Sequence, residues 1–198
     1  MLRFPLTFTF KIIAIAPQLT VVDSAGEEVC YIRQKAFKLR ESVTVFRNSS
    51  QQQIVGKIEA DRIIDWSARY TFHDAEGQAI GAVGRRGAKS LFRAHYDIFT
   101  DPTSRDAGKT IEEESVAVRL LDHLVSQIPV VGMLSGLVFH PSYAVKGKDG
   151  TVVARLKKQS ALLEGKFQLE KLADLSEQEE FQVLLSCLML TLLERGRS

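Results

Sequence analysis

The sequence predicts a mainly β domain whose antiparallel strands close, or nearly close, around a short apolar helix at the C-terminus. Three observations carry this. Short runs of β-branched and aromatic residues alternate with turn residues. Consecutive hairpin signals take the place of strand–helix–strand units. The final helix has no polar face and must be surrounded. With 198 residues the chain can bury a substantial core as one domain spanning residues 1–198.

The first element is a strand. Phe4, Leu6, Phe8, Phe10 and Ile12 alternate with polar residues, as a strand with one apolar face requires. Arg3 and the small residues Ala14-Ile15-Ala16 give the segment a superficial likeness to a secretion signal. Pro5 and Lys11 interrupt its apolar run, and Pro17 would hinder a peptidase. No other segment reaches the roughly 18 apolar residues of a membrane span. The expected setting is cytoplasmic, at most peripheral to a membrane.

Leu19 to Val22 leads through Asp23-Ser24-Ala25-Gly26 into Val29 to Lys38, a hairpin by its turn chemistry. Val43 to Phe46 follows and stops at Arg47-Asn48-Ser49-Ser50, and another strand runs from Gln53 to Ala60. Arg69 to His73 and Gln78 to Arg85 flank Asp74-Ala75-Glu76-Gly77, a second hairpin, and Leu91 to Phe99 continues the meander.

Thr110 to Ile128 breaks the rhythm. Ala117, Leu120, Leu121, Leu124, Val125 and Ile128 share one helical face, and Glu112, Glu113 and Glu114 suit a positive helix N-terminus. This predicts one inserted amphipathic helix within residues 110–141, stopped by Pro129. Strand patterns return at Ser142 to Lys146, Thr151 to Lys158 and Ala161 to Leu169, with Lys148-Asp149-Gly150 as a turn. The central helix is expected over residues 176–195. Ser176 and Glu179 have capping-box spacing, and from Val183 to Leu193 only Ser186 and Thr191 interrupt the apolar residues. Such a helix fills a barrel, which argues against an internal ligand cavity.

Several segments resemble the LURP-one-related family. They are Cys30-Tyr31-Ile32-Arg33-Gln34-Lys35 with Leu39-Arg40-Glu41, and Asp61-Arg62-Ile63-Ile64-Asp65-Trp66. Tyr70 to Gly77 running into Ile80-Gly81-Ala82-Val83, and Lys89-Ser90-Leu91-Phe92, are also similar to it. That family is grouped with phospholipid scramblases and the tubby C-terminal domain. The resemblance implies a barrel of about twelve strands around a hydrophobic C-terminal helix. It also implies that Trp66 lies at least partly in the core.

Composition narrows the chemistry. A net charge of +2, from 26 basic and 24 acidic residues, lacks the excess of a dedicated nucleic-acid binder, so no nucleic acid is expected. Cys30 and Cys187 stand far apart in apolar settings and read as free buried thiols, not a disulfide or metal pair. His73, His95, His123 and His140 form no metal-binding spacing.

No GxSxG elbow is present, and in Gly81 to Ser90 Ala88 separates Gly87 from Lys89, which breaks a phosphate-loop pattern. Asp97, Asp101 and Asp106 lack calcium-loop spacing, because Phe99 and Pro102 occupy positions such a loop needs. No catalytic residue, metal site or cofactor is therefore assigned.

Basic residues remain. Arg85, Arg86, Lys89 and Arg93 cluster around one turn; Arg33, Lys35 and Lys38 form a second group, and Arg155, Lys157 and Lys158 a third. Tubby domains bind phosphoinositide headgroups through basic side chains, so the resemblance implies phosphate binding at the first cluster. The leading expectation is a non-catalytic binding module contacting anionic phospholipid. Its rivals are a regulatory protein–protein adaptor using the apolar segment Val130 to Phe139, and an enzyme with an unrecognised site.

Overall fold

A computed structural model describes residues 2–11, 18–33, 42–61, 68–85, 94–114, 141–159 and 164–195. Alternation sets the first strand, β1 (Leu6–Lys11), where Leu6, Phe8 and Phe10 are at most 3% exposed and Thr7, Thr9 and Lys11 face outwards. The same rule places β2 (Gln18–Val22), β3 (Glu28–Arg33), β4 (Ser42–Phe46), β5 (Ile54–Ala60), β6 (Arg69–His73) and β7 (Ala79–Arg85). β8 (His95–Phe99), β9 (Lys109–Glu113), β10 (Ser142–Gly147), β11 (Val152–Gln159) and β12 (Glu164–Lys171) complete the set.

Each strand pairs antiparallel with its neighbours in sequence, and β1 pairs with β12 to close the barrel. Closure leaves no free edge along which another chain could add. Leu6 pairs with Leu169 and Phe8 with Phe167 across the seam, and the Phe10 and Phe167 rings meet edge-on at 6.4 Å.

Helix α1 (Glu177–Arg195) runs through the interior. Val183, Leu184, Leu185, Cys187, Leu188, Met189 and Leu190 are all at most 1% exposed, so apolar neighbours enclose it on every side. The capping box forms: the Ser176 amide donates to Glu179 Oε2 at 3.0 Å, and the Glu179 amide returns a bond to Ser176 Oγ at 3.3 Å. The two polar interruptions are satisfied within the helix. Ser186 Oγ donates to the Gln182 carbonyl and Thr191 Oγ1 to the Leu188 carbonyl.

Four hairpins at the barrel end holding the α1 N-terminus share one construction. Gly26, Gly77 and Gly150 adopt φ near +80°, Gln51 takes φ 58°, and each amide closes a turn onto the carbonyl three residues earlier. Asp23, Asn48, Asp74 and Asp149 accept bonds from amides two residues on, and a register shift beside each turn marks a bulge.

One expectation needs correction. Thr110 to Glu113, assigned by pattern to the start of an inserted helix, belong to strand β9. Ile111 is its only inward apolar residue, while Glu112 faces outwards, where Lys146 Nζ reaches it at 2.7 Å. Three successive glutamates before a helical period imitate a helix N-terminus, but here Glu112 and Glu113 are strand residues fixed by pairing with β8 and β10, and the Glu114 amide just past the strand donates to the Ser142 carbonyl. The rest of that expected helix, Trp66 and the apolar segment Val130 to Phe139 lie outside the described residues. Among the described residues no helix is long and apolar enough to cross a membrane.

Candidate functional site: the two ends of the barrel

The meander gives the barrel two chemically different ends. At the α1 N-terminal end the short turns carry Asp23, Glu27, Asp74, Glu76, Asp101 and Asp149, and carboxylates outnumber cations there. Much of this acidity is turn chemistry. Asp101 accepts from the Thr103 hydroxyl and amide, and Asp149 from those of Thr151, bonds that hold both carboxyls below the ordinary range.

Ion pairs fasten the plug at this end. Lys109 Nζ lies 2.6 Å from Glu179 Oε1, and Lys171 Nζ lies 2.9 Å from the fully buried Glu180. Glu180 also accepts from the Leu2 amide. The Lys109 ammonium, followed by the Ser176 amide, pulls the Glu179 carboxyl down to about 2.

At the opposite end β1, β3 and β7 finish in Lys11, Arg33 and Arg85, with Lys158 next to last in β11 and Lys166 near the start of β12. Asp61, Glu113, Glu114 and Glu164 are acidic residues at the neighbouring strand ends, Glu114 being paired with Arg155. Cations thus surround the helix C-terminus and carboxylates its N-terminus, the arrangement that complements a helix dipole.

The basic groups read from the sequence are only partly brought together. Arg85 sits half-buried at the end of β7, opposite Tyr96 of β8, while Arg86, Lys89 and Arg93 lie outside the described residues. Arg33 is exposed at the end of β3, and Lys35 and Lys38 lie outside. In the third group, Arg155 Nη2 lies 3.0 Å from Glu114, and Lys157 Nζ lies 2.8 Å from Glu170. Two of its three cations are therefore neutralised, and Lys158 is left exposed. Sequence reasoning missed Lys11 and Lys166, which barrel closure carries to the same rim.

A cleft of about 630 Å³ lies outside the barrel, between the β8–β9 loop and the β10–β11 turn. Arg69 holds that loop, donating to the Pro102 and Ser104 carbonyls at 2.7 and 2.9 Å, with its guanidinium 3.7 Å over the Phe99 ring. Of the four cations lining the cleft, Lys146, Lys148 and Lys109 pair with Glu112, Asp106 and Glu179, and Arg105 is exposed. Its lining contains no histidine, cysteine or serine.

Elsewhere, His73 lies 3.4 Å from Glu59 and His95 lies 3.7 Å from Glu112, while His123 and His140 are outside the described residues. Cys30 and Cys187 are free and fully buried. Burial pushes both thiols up, Cys187 to about 12, so neither is poised as a nucleophile. No cluster of potential metal ligands occurs among the described residues.

The structure is similar to an X-ray structure of a protein from Arabidopsis thaliana, with a TM-score of 0.45 and 11% identity, covering 98% of this chain and 93% of that one. No curated protein matches the chain significantly. The family model for LURP-one-related proteins matches residues 28–171, from the start of β3 to the end of β12. The chain belongs to the LURP-one-related family.

Proposed function

We propose that this protein is a non-catalytic binding module whose basic barrel end contacts anionic phospholipid headgroups at a membrane surface. The observation that supports this reading is the separation of charge between the two ends. Acidic turns crowd one end, and strand ends bearing Lys11, Arg33, Arg85, Lys158 and Lys166 mark the other. A molecule so polarised turns its basic end towards an anionic surface as it approaches. The helix occupies the barrel interior, so contact falls on the rim and exterior. β7 ends at Arg85 and β8 begins at His95, both on the basic end, which keeps Arg86, Lys89 and Arg93 as candidates with Arg85.

Cosedimentation with phosphatidylserine-containing and pure phosphatidylcholine vesicles tests the reading. Binding is expected to the anionic vesicles alone and to weaken as salt rises, because counterions screen the contacts. A triple Ala variant at Arg85, Arg86 and Lys89 measures that cluster's share. Equal binding to both vesicle types, or none to either, would sink the lipid reading and leave a protein adaptor as the next hypothesis.

A further inference from the structure

Barrel closure assembles a basic arc that no stretch of the sequence contains. At the rim, Lys11 of β1 stands in register with Gln18 of β2, and Gln18 with Arg33 of β3. The three form one cross-strand row on the outer face, because Phe10, Leu19 and Ile32 point inwards. On the other side of β1, Lys166 of β12 pairs with Thr9, which makes it a diagonal neighbour of Lys11. Lys158, next to last in β11, is in register with Phe167 and so falls on the inward parity, but at the rim it is exposed and adds a cation one strand further along.

Lys11, Arg33, Lys158 and Lys166 are all exposed, and none has an ion-pair partner among the described residues. On the strands elsewhere, several cations are matched to carboxylates, as in Arg155–Glu114, Lys157–Glu170 and Lys146–Glu112. Among the described residues of these strand ends Glu164, in register with Lys11, is the sole acidic one. Like charges side by side on a sheet repel. A cluster kept without its own counterions suits counterions supplied from outside.

We infer that this arc is the surface that meets the phosphates of an anionic membrane; the inference rests on the lipid-binding reading and locates it. The arc spans five adjacent strands, β11, β12, β1, β2 and β3, along one rim. Its side chains therefore reach several headgroups of a planar surface at once, Arg33 as a bidentate donor and the lysines as point charges. Nucleic acid fits less well. The arc is interleaved with Gln and Thr; of the aromatics beside it, Phe10 and Tyr31 are 3% and 5% exposed, and Phe167 packs edge-on against Phe10, so none offers an open face for bases to stack on. Arg85 on β7 stands across the mouth, six strands from β1 in either direction, so the two basic regions can be tested apart.

The experiment titrates wild type, a Lys11→Gln, Arg33→Gln, Lys166→Gln triple variant and Arg85→Gln with phosphatidylserine-containing vesicles, with thermal melts to check folding. A basic residue near an anionic surface contributes about fivefold in partitioning, so the triple variant should bind on the order of 100-fold more weakly. Arg85→Gln should lose no more than about fivefold. A second measurement needs no variant: amine labelling of wild type should show Lys11, Lys158 and Lys166 shielded by the vesicles, while Lys148, 62% exposed at the acidic end, stays reactive.

Wild-type binding that the triple variant retains, with the arc lysines unshielded, overturns the arc and leaves the lipid reading standing. No wild-type binding removes both. Capture of single-stranded RNA in place of vesicles, lost in the same variant, would reassign the arc to nucleic acid.

Discussion

A β-carbon at Gly81 would sit 2.8 Å from the Phe99 carbonyl oxygen and 3.1 Å from Gln182 Nε2, closer than real side chains come to backbone. Gln182 is where the helix grips the sheet, its amide donating to the Ile80 carbonyl at 2.5 Å. Gly81→Ala therefore forces backbone apart at that contact, and we expect a loss of about 1–3 kcal/mol, read from the denaturant midpoint. A change within about 0.5 kcal/mol would show that the contact yields freely. Glu179 makes a pH prediction. Its folded value, about 2, lies below the ordinary 4.5, so its contribution is complete above 4.5 and is lost as pH falls through about 2. Thermal midpoints of wild type should therefore fall more steeply across that window than those of Glu179→Gln. Parallel curves would show that the Lys109 pair contributes nothing to folding.

At the scale of elements, α1 is the part whose sequence and structure agree most fully. An apolar run with no polar face admits few solutions in water, and enclosure by strands is the one adopted. Leu185→Ala or Leu188→Ala should each cost about 2–5 kcal/mol, from lost burial and the cavity left behind. Calorimetry or chemical denaturation measures it, and a surface-like loss below about 0.5 kcal/mol would contradict the burial. Hairpins were legible for a local reason, since Asp23 to Gly26 and Asp74 to Gly77 fix their turns through their own amides. Strand β9 was not. Its identity comes from pairing Ile111 with Val145 and Tyr96, contacts that no window of neighbouring residues reveals. The basic rim was hidden for the same reason: Lys11 and Lys166 meet only because β1 closes on β12.

For the whole molecule, closure matters more than any single strand. The family match, residues 28–171, covers β3 to β12 but omits β1, β2 and α1. Those three elements complete the barrel and fill it. β1 hydrogen-bonds to both β2 and β12, and it contributes Leu6, Phe8 and Phe10 to the core. Without β1 and β2, β3 and β12 become open edges, exposed to pairing with other chains. Without α1, the inward faces of the remaining strands surround an apolar void that they cannot collapse to fill, because ten paired strands resist closing on themselves. A fragment of residues 28–171 should therefore show no cooperative thermal transition and should aggregate, while the full chain melts cooperatively. Restoring residues 2–27 alone rebuilds the wall and leaves the interior empty, so that longer fragment should also fail to melt cooperatively. A sharp transition in either fragment would show that the wall stands without its plug, and that the helix is an addition to the fold and not its core.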